Sequence, residues 1–102
     1  MFDLILRQAR LVDDTLADIA MKDGVIAALG EVSGAARETR ELNGEHYVSP
    51  GWIDLHVHCY PKSPIYHDEP DAVGVATGVT TVVDAGSTGA NDIDDFYALT
   101  RG

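Results

Sequence analysis

Short apolar runs separated by polar turns dominate the first half of the chain, a pattern typical of β-strands. In residues 2–12, Leu4 and Leu6 alternate with neighbours that can face solvent, which predicts a strand. Residues 30–46 are polar and rich in Gly, Glu and Arg, so an irregular link is expected there, with one further strand near Thr39–Leu42. The first half is therefore predicted to be β-rich.

A hairpin is predicted at Asp23-Gly24, which lies between two short apolar runs. Asp-Gly is a strong hairpin signal because both residues tolerate the positive φ of a type I′ turn. We therefore expect strands over residues 17–22 and 25–30.

The second half opens with the turn Pro50-Gly51 and then alternates strictly along residues 52–58. In a strand, successive side chains point to opposite faces. One face takes Ile53, Leu55 and Val57, and the other takes Asp54, His56 and His58. The pattern predicts a strand with one apolar face and one polar face.

The segments after this strand have a strand–loop–helix order. Prolines predict a loop over residues 60–70, and helical spacing predicts a short helix over residues 71–77. Residues 79–85 are β-branched and almost continuously apolar, which is typical of a strand buried on both faces of a parallel sheet. A loop over residues 86–89 and a helix over residues 91–99 complete the order. The pattern predicts one βαβ unit and the start of another.

Composition limits the partners and the location. The chain has 102 residues, with 17 acidic and 7 basic side chains and a formal net charge of −10. Nucleic acid and anionic membranes need a basic surface, so neither is an expected partner. Cys59 is the single cysteine, which fits a reducing, cytoplasmic setting. The sequence shows no signal peptide, and no apolar run approaches the ~18 residues of a membrane span.

His56 and His58 are candidate metal ligands because they share one face of the predicted strand. Residues two apart on a strand project roughly 6.6–7 Å apart, and two imidazoles can lean inward to share one ion at ~2.0–2.1 Å each. Asp54, one step back on the same face, is placed to orient a ligand from outside the coordination sphere. An H-x-H pair alone is weak evidence, but its position in the sequence P-G-W-I-D-L-H-V-H strengthens it.

Residues 50–58 resemble the P-G-x-[IV]-D-x-H-x-H strand that opens the (β/α)8 barrel of the amidohydrolase superfamily. Residues 18–30 resemble the hairpin before that barrel. Residues 74–90 resemble its second strand with flanking turns, most closely in the dihydroorotase-like deacetylase and adenine deaminase-like branch. The resemblance implies an α/β fold with a β-rich N-terminal segment: part of the amidohydrolase β-sandwich over residues 1–49, then the first two barrel strands over residues 50–102. The barrel is incomplete in this chain, because a whole one needs ~250 residues.

The resemblance also implies the chemistry. In the family, a metal-activated water hydrolyses amide, cyclic amide or amino-purine type C–N bonds of small-molecule substrates, and the first-strand histidines bind one metal. His56 and His58 would then be metal ligands for Zn²⁺ or another divalent transition metal. The family's other ligands come from later strands and match no residue here. Since a catalytic zinc site needs three protein ligands, the 102 residues alone are expected to be inactive.

Other polar residues receive more modest roles. Asp84 ends the second predicted barrel strand, where active-site residues occur, but a cap or turn role is equally expected. The loop over residues 86–89 is interpreted as a plain βα turn. Cys59 has no identifiable base beside it and is interpreted as a small near-site residue, not a nucleophile. His67 is expected to be exposed or part of a substrate loop, and His46 to be structural.

Two other functions remain open. The first is a non-catalytic module in which two copies bind one metal ion between subunits through His56 and His58. The second is a compact α+β protein with no metal. Under the leading hypothesis both barrel strands have exposed edges, so self-association or pairing with the missing barrel is expected.

Overall fold

The computed structural model describes residues 1–65 and 67–101. Tyr66, which falls within the predicted loop over residues 60–70, and Gly102 lie outside the described residues. The chain divides into two compact units, Met1–Pro50 and Gly51–Gly102, and each contains its own sheet.

The first unit is a four-stranded mixed sheet with the strand order β3-β2-β1-β4. Its strands are β1 (Phe2–Arg10), β2 (Leu16–Lys22), β3 (Val25–Gly30) and β4 (Ala36–Glu41). β2 runs antiparallel to β1 and β3, whereas β4 pairs in parallel with β1. The predicted β-rich first half is confirmed, although β4 begins earlier than the strand predicted near Thr39–Leu42.

The predicted hairpin at Asp23-Gly24 is also confirmed. Both residues have positive φ, 52° for Asp23 and 78° for Gly24, as a type I′ turn requires. β2 and β3 pair directly across this turn, with Lys22 opposite Val25. The dipeptide is enough to predict this turn, because a type I′ turn requires only that its two central residues adopt positive φ and depends on no distant contact.

The core of the first unit lies on the face of β1 and β2 that carries Ile5 and Ala20. Both side chains are fully buried and pack with Val32. Leu4 and Leu6, from which the strand is predicted, are only half-buried on the opposite face. The face with Leu4 and Leu6 is the more apolar one in sequence, so the contact of Ile5 with Ala20 and Val32, which are distant in sequence, decides which face becomes the core.

A polar network ties β1, β2 and the segment after β3 together. Asp18 accepts hydrogen bonds from Nη1 of Arg7 at 2.7 Å, the backbone N–H of Gln8 at 3.0 Å and the backbone N–H of Val32 at 3.3 Å. Gln8 has a positive φ of 50° beside a register shift in β1, so Asp18 stabilises a bulge. Two hydrogen bonds hold the pKa of Asp18 below its usual value. The bond from the N–H of Gln8 has the larger effect, and the bond from Arg7 has the next largest.

The second unit contains two strands and short helices. β5 (Trp52–Val57) pairs in parallel with β6 (Val79–Asp84), as predicted for a βαβ unit. The helical elements are α1 (Pro70–Val73), a 3-10 turn (Val75–Thr77), a second 3-10 turn (Ala90–Asp92) and α2 (Ile93–Leu99).

The helix predicted over residues 71–77 is interrupted at Gly74. This glycine has φ −104° and ψ −110°, outside the helical range. A Cβ there would lie 2.6 Å from the carbonyl oxygen of Pro70. Periodicity predicts one continuous helix because it does not register this close backbone approach, which only the folded chain creates.

The prediction that β6 is buried on both faces is wrong for the described chain. Val83 is 45% exposed, and Ile53 and Leu55 on β5 are 64% and 71% exposed. Within residues 67–101 and 1–65, β5 and β6 form a two-stranded sheet with no further strand beside them. Much of the apolar surface of this sheet is therefore uncovered.

The helices of the described residues are short. α2 has seven residues, which corresponds to about 10 Å at 1.5 Å per residue. Across the described part of the chain, no helix combines the length and the apolar character that crossing a membrane requires.

Candidate metal centre

β5 carries His56 near its C-terminal end, and His58 follows directly after the strand, beside the end of β6. Between Asp54 and Val57 the register shifts, so that three steps along β5 correspond to two along β6. Asp54 Oδ1 accepts the backbone N–H of His56 at 3.0 Å within this irregular stretch. Asp54 thus bonds the backbone of His56, whereas the sequence predicts that it orients a candidate ligand from outside the coordination sphere. Bulges of this kind re-aim side chains next to active sites.

The imidazole rings of His56 and His58 converge. Their centroids are 5.3 Å apart and the rings meet edge to face at 73°. With Zn–N bonds of about 2.0–2.1 Å and a tetrahedral angle, two rings on one ion would have centroids about 5 Å apart. The observed spacing fits shared coordination of a divalent ion. His56 is exposed and His58 is half-buried, so the pair is open to solvent.

Two imidazoles are only part of a ligand set. In the stretches 1–65 and 67–101, no group of three or more His, Cys, Asp or Glu side chains is arranged to hold a metal ion. A catalytic zinc site usually has three protein ligands and one open position. The described residues therefore fit two positions of such a site.

Asp84 links the C-terminal ends of the two parallel strands. Its Oδ2 accepts the backbone N–H of Cys59 at 2.9 Å, and its Oδ1 accepts the backbone N–H of Ser87 at 2.8 Å. Burial raises the pKa of Asp84, but these N–H groups, the Ser87 hydroxyl and nearby His58 outweigh burial and hold that pKa below its usual value. Of the two roles that the sequence leaves open for Asp84, the structure shows the turn role.

Ser87 also lies at this site, although the sequence predicts no role for its side chain. Its hydroxyl oxygen lies 2.9 Å from Nδ1 of His58, across 29 positions of sequence. The sequence predicts a plain βα turn over residues 86–89. This loop also contacts a candidate metal ligand, His58, through Ser87. The available sequence signal is the spacing of Asp84 and Ser87, in which a carboxylate accepts an N–H three residues on and fixes the loop.

The structure also describes the other three candidate residues, Cys59, His67 and His46. Cys59 is 8% exposed, and burial, with Asp84 adding to it, raises the pKa of its thiol, which fits a residue that is not a nucleophile. His67 is exposed, and its backbone forms an isolated antiparallel bridge with Cys59. The backbone carbonyl of His46 accepts the N–H of Arg10 at 3.0 Å, a structural contact.

A cavity of about 730 Å³ lies next to β6 and α2. Apolar side chains such as Val82 and Phe96 line it, together with Cys59 and Asp84. His56 and His58 do not line this cavity. The cavity and the candidate metal centre are therefore separate features, and Asp84 lies next to both.

Comparison with known proteins identifies relatives across almost the whole chain, although no family model matches. The chain is similar to a deacetylase of Enterococcus faecalis, with 48% identity over 101 residues that cover 98% of this chain and 27% of that protein. The crystal structure of an adenine deaminase matches with a TM-score of 0.80 and 47% identity, covering 99% of this chain and 28% of that one.

A further similarity is to the N-acyl-D-glutamate deacylase of Bordetella bronchiseptica, solved with zinc and a phosphonate inhibitor. The TM-score is 0.55 and the identity 28%, over 79% of this chain and 18% of that one.

The chain spans about a quarter of the length of the deacetylase and the adenine deaminase that it matches. These relatives are hydrolases that act on C–N bonds. The structural match confirms the predicted fold class, part of the amidohydrolase β-sandwich followed by two strands of a barrel that is incomplete in this chain. Sequence and fold together show that the chain belongs to the amidohydrolase superfamily and matches an N-terminal portion of its members.

Proposed function

We propose that the chain is the N-terminal portion of a metal-dependent hydrolase that cleaves amide, cyclic amide or amino-purine type C–N bonds of small molecules. The observation that carries the proposal is the convergence of His56 and His58, with centroids 5.3 Å apart, at the C-terminal end of a parallel strand. That end of a strand is where α/β barrels carry their chemistry. The names of the relatives, deacetylase and adenine deaminase, support C–N hydrolysis.

In this proposal His56 and His58 hold one divalent ion through neutral imidazole nitrogens, and the ion is Zn²⁺. The ring spacing supports this assignment, as does the zinc in the N-acyl-D-glutamate deacylase structure. When bound, the ion would lower the pKa of a water ligand to about 7 and so supply hydroxide for attack on the carbon of the scissile bond. This chain would contribute two ligands of the metal ion, His56 and His58. Asp54 holds the backbone of His56 in place.

We expect the 102 residues alone to be inactive, because two imidazoles leave a catalytic zinc site short of a protein ligand. A verified preparation of this chain, incubated with Zn²⁺ and an N-acetylated amino acid, a hydantoin or adenine, should show no hydrolysis. Turnover above a buffer blank would refute the incomplete ligand set.

The main test uses the protein encoded by the complete reading frame, loaded with Zn²⁺. His56→Ala or His58→Ala should lower kcat/KM by more than about 100-fold, since changes outside the coordination sphere already cost about 10–100-fold. His46→Ala is the matched control, because His46 is an exposed histidine of the first unit and should retain activity. Activity that survives complete zinc removal, or a stop codon directly after Gly102, would refute the proposal.

We also propose that further barrel elements of the same protein cover the apolar surface formed by Ile53, Leu55 and Val83. These side chains are exposed, and soluble proteins rarely leave large contiguous apolar patches uncovered. The isolated chain should then self-associate through this surface and the open strand edges. Light scattering should give a mass above 10.9 kDa, and Leu55→Lys should lower it. A monomer at high concentration would contradict this expectation.

The exposure of His56 favours a second candidate, a non-catalytic module in which two copies supply four imidazoles to one ion. Zinc-dependent dimerisation that His56→Ala abolishes would support this candidate. An oligomeric state that zinc leaves unchanged would refute it, and metal analysis of the purified protein separates both candidates from a metal-free α+β protein.

A further inference from the structure

The Ser87 hydroxyl contacts the His58 ring at one defined nitrogen. Oγ of Ser87 lies 2.9 Å from Nδ1 of His58, and both residues are half-buried. The contact joins the loop after β6 to the end of β5. Since Nδ1 takes part in this hydrogen bond, a metal ion shared with His56 would bind His58 through Nε2.

The proposed metal role sets the direction of this hydrogen bond. A metal ion at Nε2 needs the lone pair of that nitrogen, so Nδ1 of His58 donates and the Ser87 oxygen accepts. A neutral imidazole that carries its proton on Nδ1 has its lone pair on Nε2, the form that binds a metal.

Backbone hydrogen bonds fix Ser87 in this position. Its N–H donates to Oδ1 of Asp84 at 2.8 Å, and Oδ2 of Asp84 accepts the N–H of Cys59, the residue after His58, at 2.9 Å. The bonds thus form a ring that begins and ends beside His58. Because the bond to Asp84 comes from the backbone of Ser87, alanine at this position retains it and removes only the hydroxyl.

We infer that Ser87 is a positioning residue of the metal centre, which holds His58 in the Nδ1–H tautomer and orients its Nε2 toward the ion. The inference rests on the proposed function, since it requires His58 to bind metal. It also distinguishes the two ligands. His58 is anchored through its ring, whereas Asp54 anchors His56 through its backbone. Groups that accept the second N–H of a metal-bound histidine typically contribute about 10–100-fold to metal affinity.

The first measurement needs no metal. Long-range ¹H–¹⁵N correlation spectra of the 102-residue protein report which ring nitrogen of His58 carries the proton. We expect the proton on Nδ1. Ser87→Ala should shift the ring toward the Nε2–H tautomer, and Ser87→Thr, which keeps the hydroxyl, should restore Nδ1–H. A wild-type ring protonated on Nε2 would overturn the inference.

The second measurement is the zinc affinity of the protein from the complete reading frame, by competition with a chromophoric chelator. Ser87→Ala should weaken binding about 10–100-fold, and Ser87→Thr should recover most of that loss. Thr88→Ala is the matched control, because this neighbouring hydroxyl donates to Asp92 at 3.2 Å and should not affect affinity.

The outcomes separate the two claims. Wild-type affinity in Ser87→Ala, together with a large loss in His58→Ala, would overturn the role of Ser87 and leave the proposed function intact. Zinc binding that neither His56→Ala nor His58→Ala weakens would overturn the proposed function and, with it, the metal role of Ser87.

Discussion

The carboxylate of Asp84 accepts the backbone N–H of Cys59 at 2.9 Å and so joins the C-terminal ends of two parallel strands. The same carboxylate holds the N–H of Ser87, which begins the turn after β6. One side chain therefore sets both the distance between the strand ends and the position of the loop that reaches His58.

Asp84→Ala should destabilise the second unit, because it removes the acceptor of two N–H groups. Hydrogen bonds to charged groups contribute about 1.5–3 kcal/mol, so we expect the free energy of unfolding to fall by about 2–3 kcal/mol. Urea unfolding measures this change. Asp94→Ala, an exposed carboxylate on α2, is the control and should stay within about 0.5 kcal/mol. A similar loss in both variants would show that charge and not the bridge is responsible.

Gly51 is required by the close approach of β6. A Cβ at Gly51 would lie 2.2 Å from both Cγ2 and Oγ1 of Thr80 and 2.7 Å from its Cβ. Gly51→Ala should force the two strands apart and lower stability by about 1–3 kcal/mol, a typical cost of overpacking. Gly89→Ala is the control, since nothing lies within 4 Å of a Cβ there.

The cause can be tested with a double-mutant cycle. Thr80→Gly removes the three atoms nearest to the new Cβ, so Gly51→Ala should cost much less in that background. Equal costs in both backgrounds would show that the Thr80 side chain is not the reason for the glycine.

The sequence predicts features that depend on neighbouring residues. The hairpin at Asp23-Gly24 needs two backbone conformations, and the alternation that begins at Trp52 is enough to place His56 in a strand and His58 directly after it. These predictions succeed because local backbone geometry alone determines them. The family resemblance adds the expected metal chemistry to the same strand.

The features that the sequence does not predict depend on distant contacts. Contact with Val32 selects Ile5 as the core residue over its apolar neighbours in β1. The contact of Ser87 with His58 exists only because β5 and β6 lie side by side. A pattern read along the chain contains none of these pairings.

The stability of the first unit should depend on pH through Asp18. The N–H of Gln8 and then Arg7 lower the pKa of this carboxyl in the folded state relative to about 3.9 in the unfolded chain. The unfolded state therefore binds a proton first on acidification, so the stabilisation is complete above the unfolded pKa and is lost as pH falls through the folded one. Urea unfolding between pH 7 and pH 2 should show this loss.

Asp18→Asn should flatten that pH dependence, because the group no longer titrates. It should also lower stability at pH 7, since Arg7 loses its charged partner at 2.7 Å. Asp94→Asn makes the same change in net charge at an exposed position and serves as the control. An unchanged acid slope in Asp18→Asn would contradict the role of Asp18.

Tyr60 and Lys62 both bond to Asp95 on α2, but we expect them to contribute unequally. The Tyr60 hydroxyl donates to Oδ2 at 2.8 Å, and Lys62 Nζ lies 2.8 Å from Oδ1. Tyr60 is 4% exposed, whereas the Lys62 side chain is 60% exposed. The bond to Asp95 raises the pKa of Tyr60 to about 12, so the phenol is a donor at neutral pH.

Tyr60→Phe should lower the free energy of unfolding by more than Lys62→Met does, because it removes a buried donor from a charged acceptor. Lys62→Met should cost at most about 1 kcal/mol, since water and salt screen an exposed ion pair. Thermal unfolding in 0.1 M and 1 M NaCl separates the two, because added salt should remove the Lys62 effect and leave the Tyr60 effect. If the Lys62 variant loses more stability than the Tyr60 variant at both salt concentrations, the ion pair and not the buried phenol holds α2.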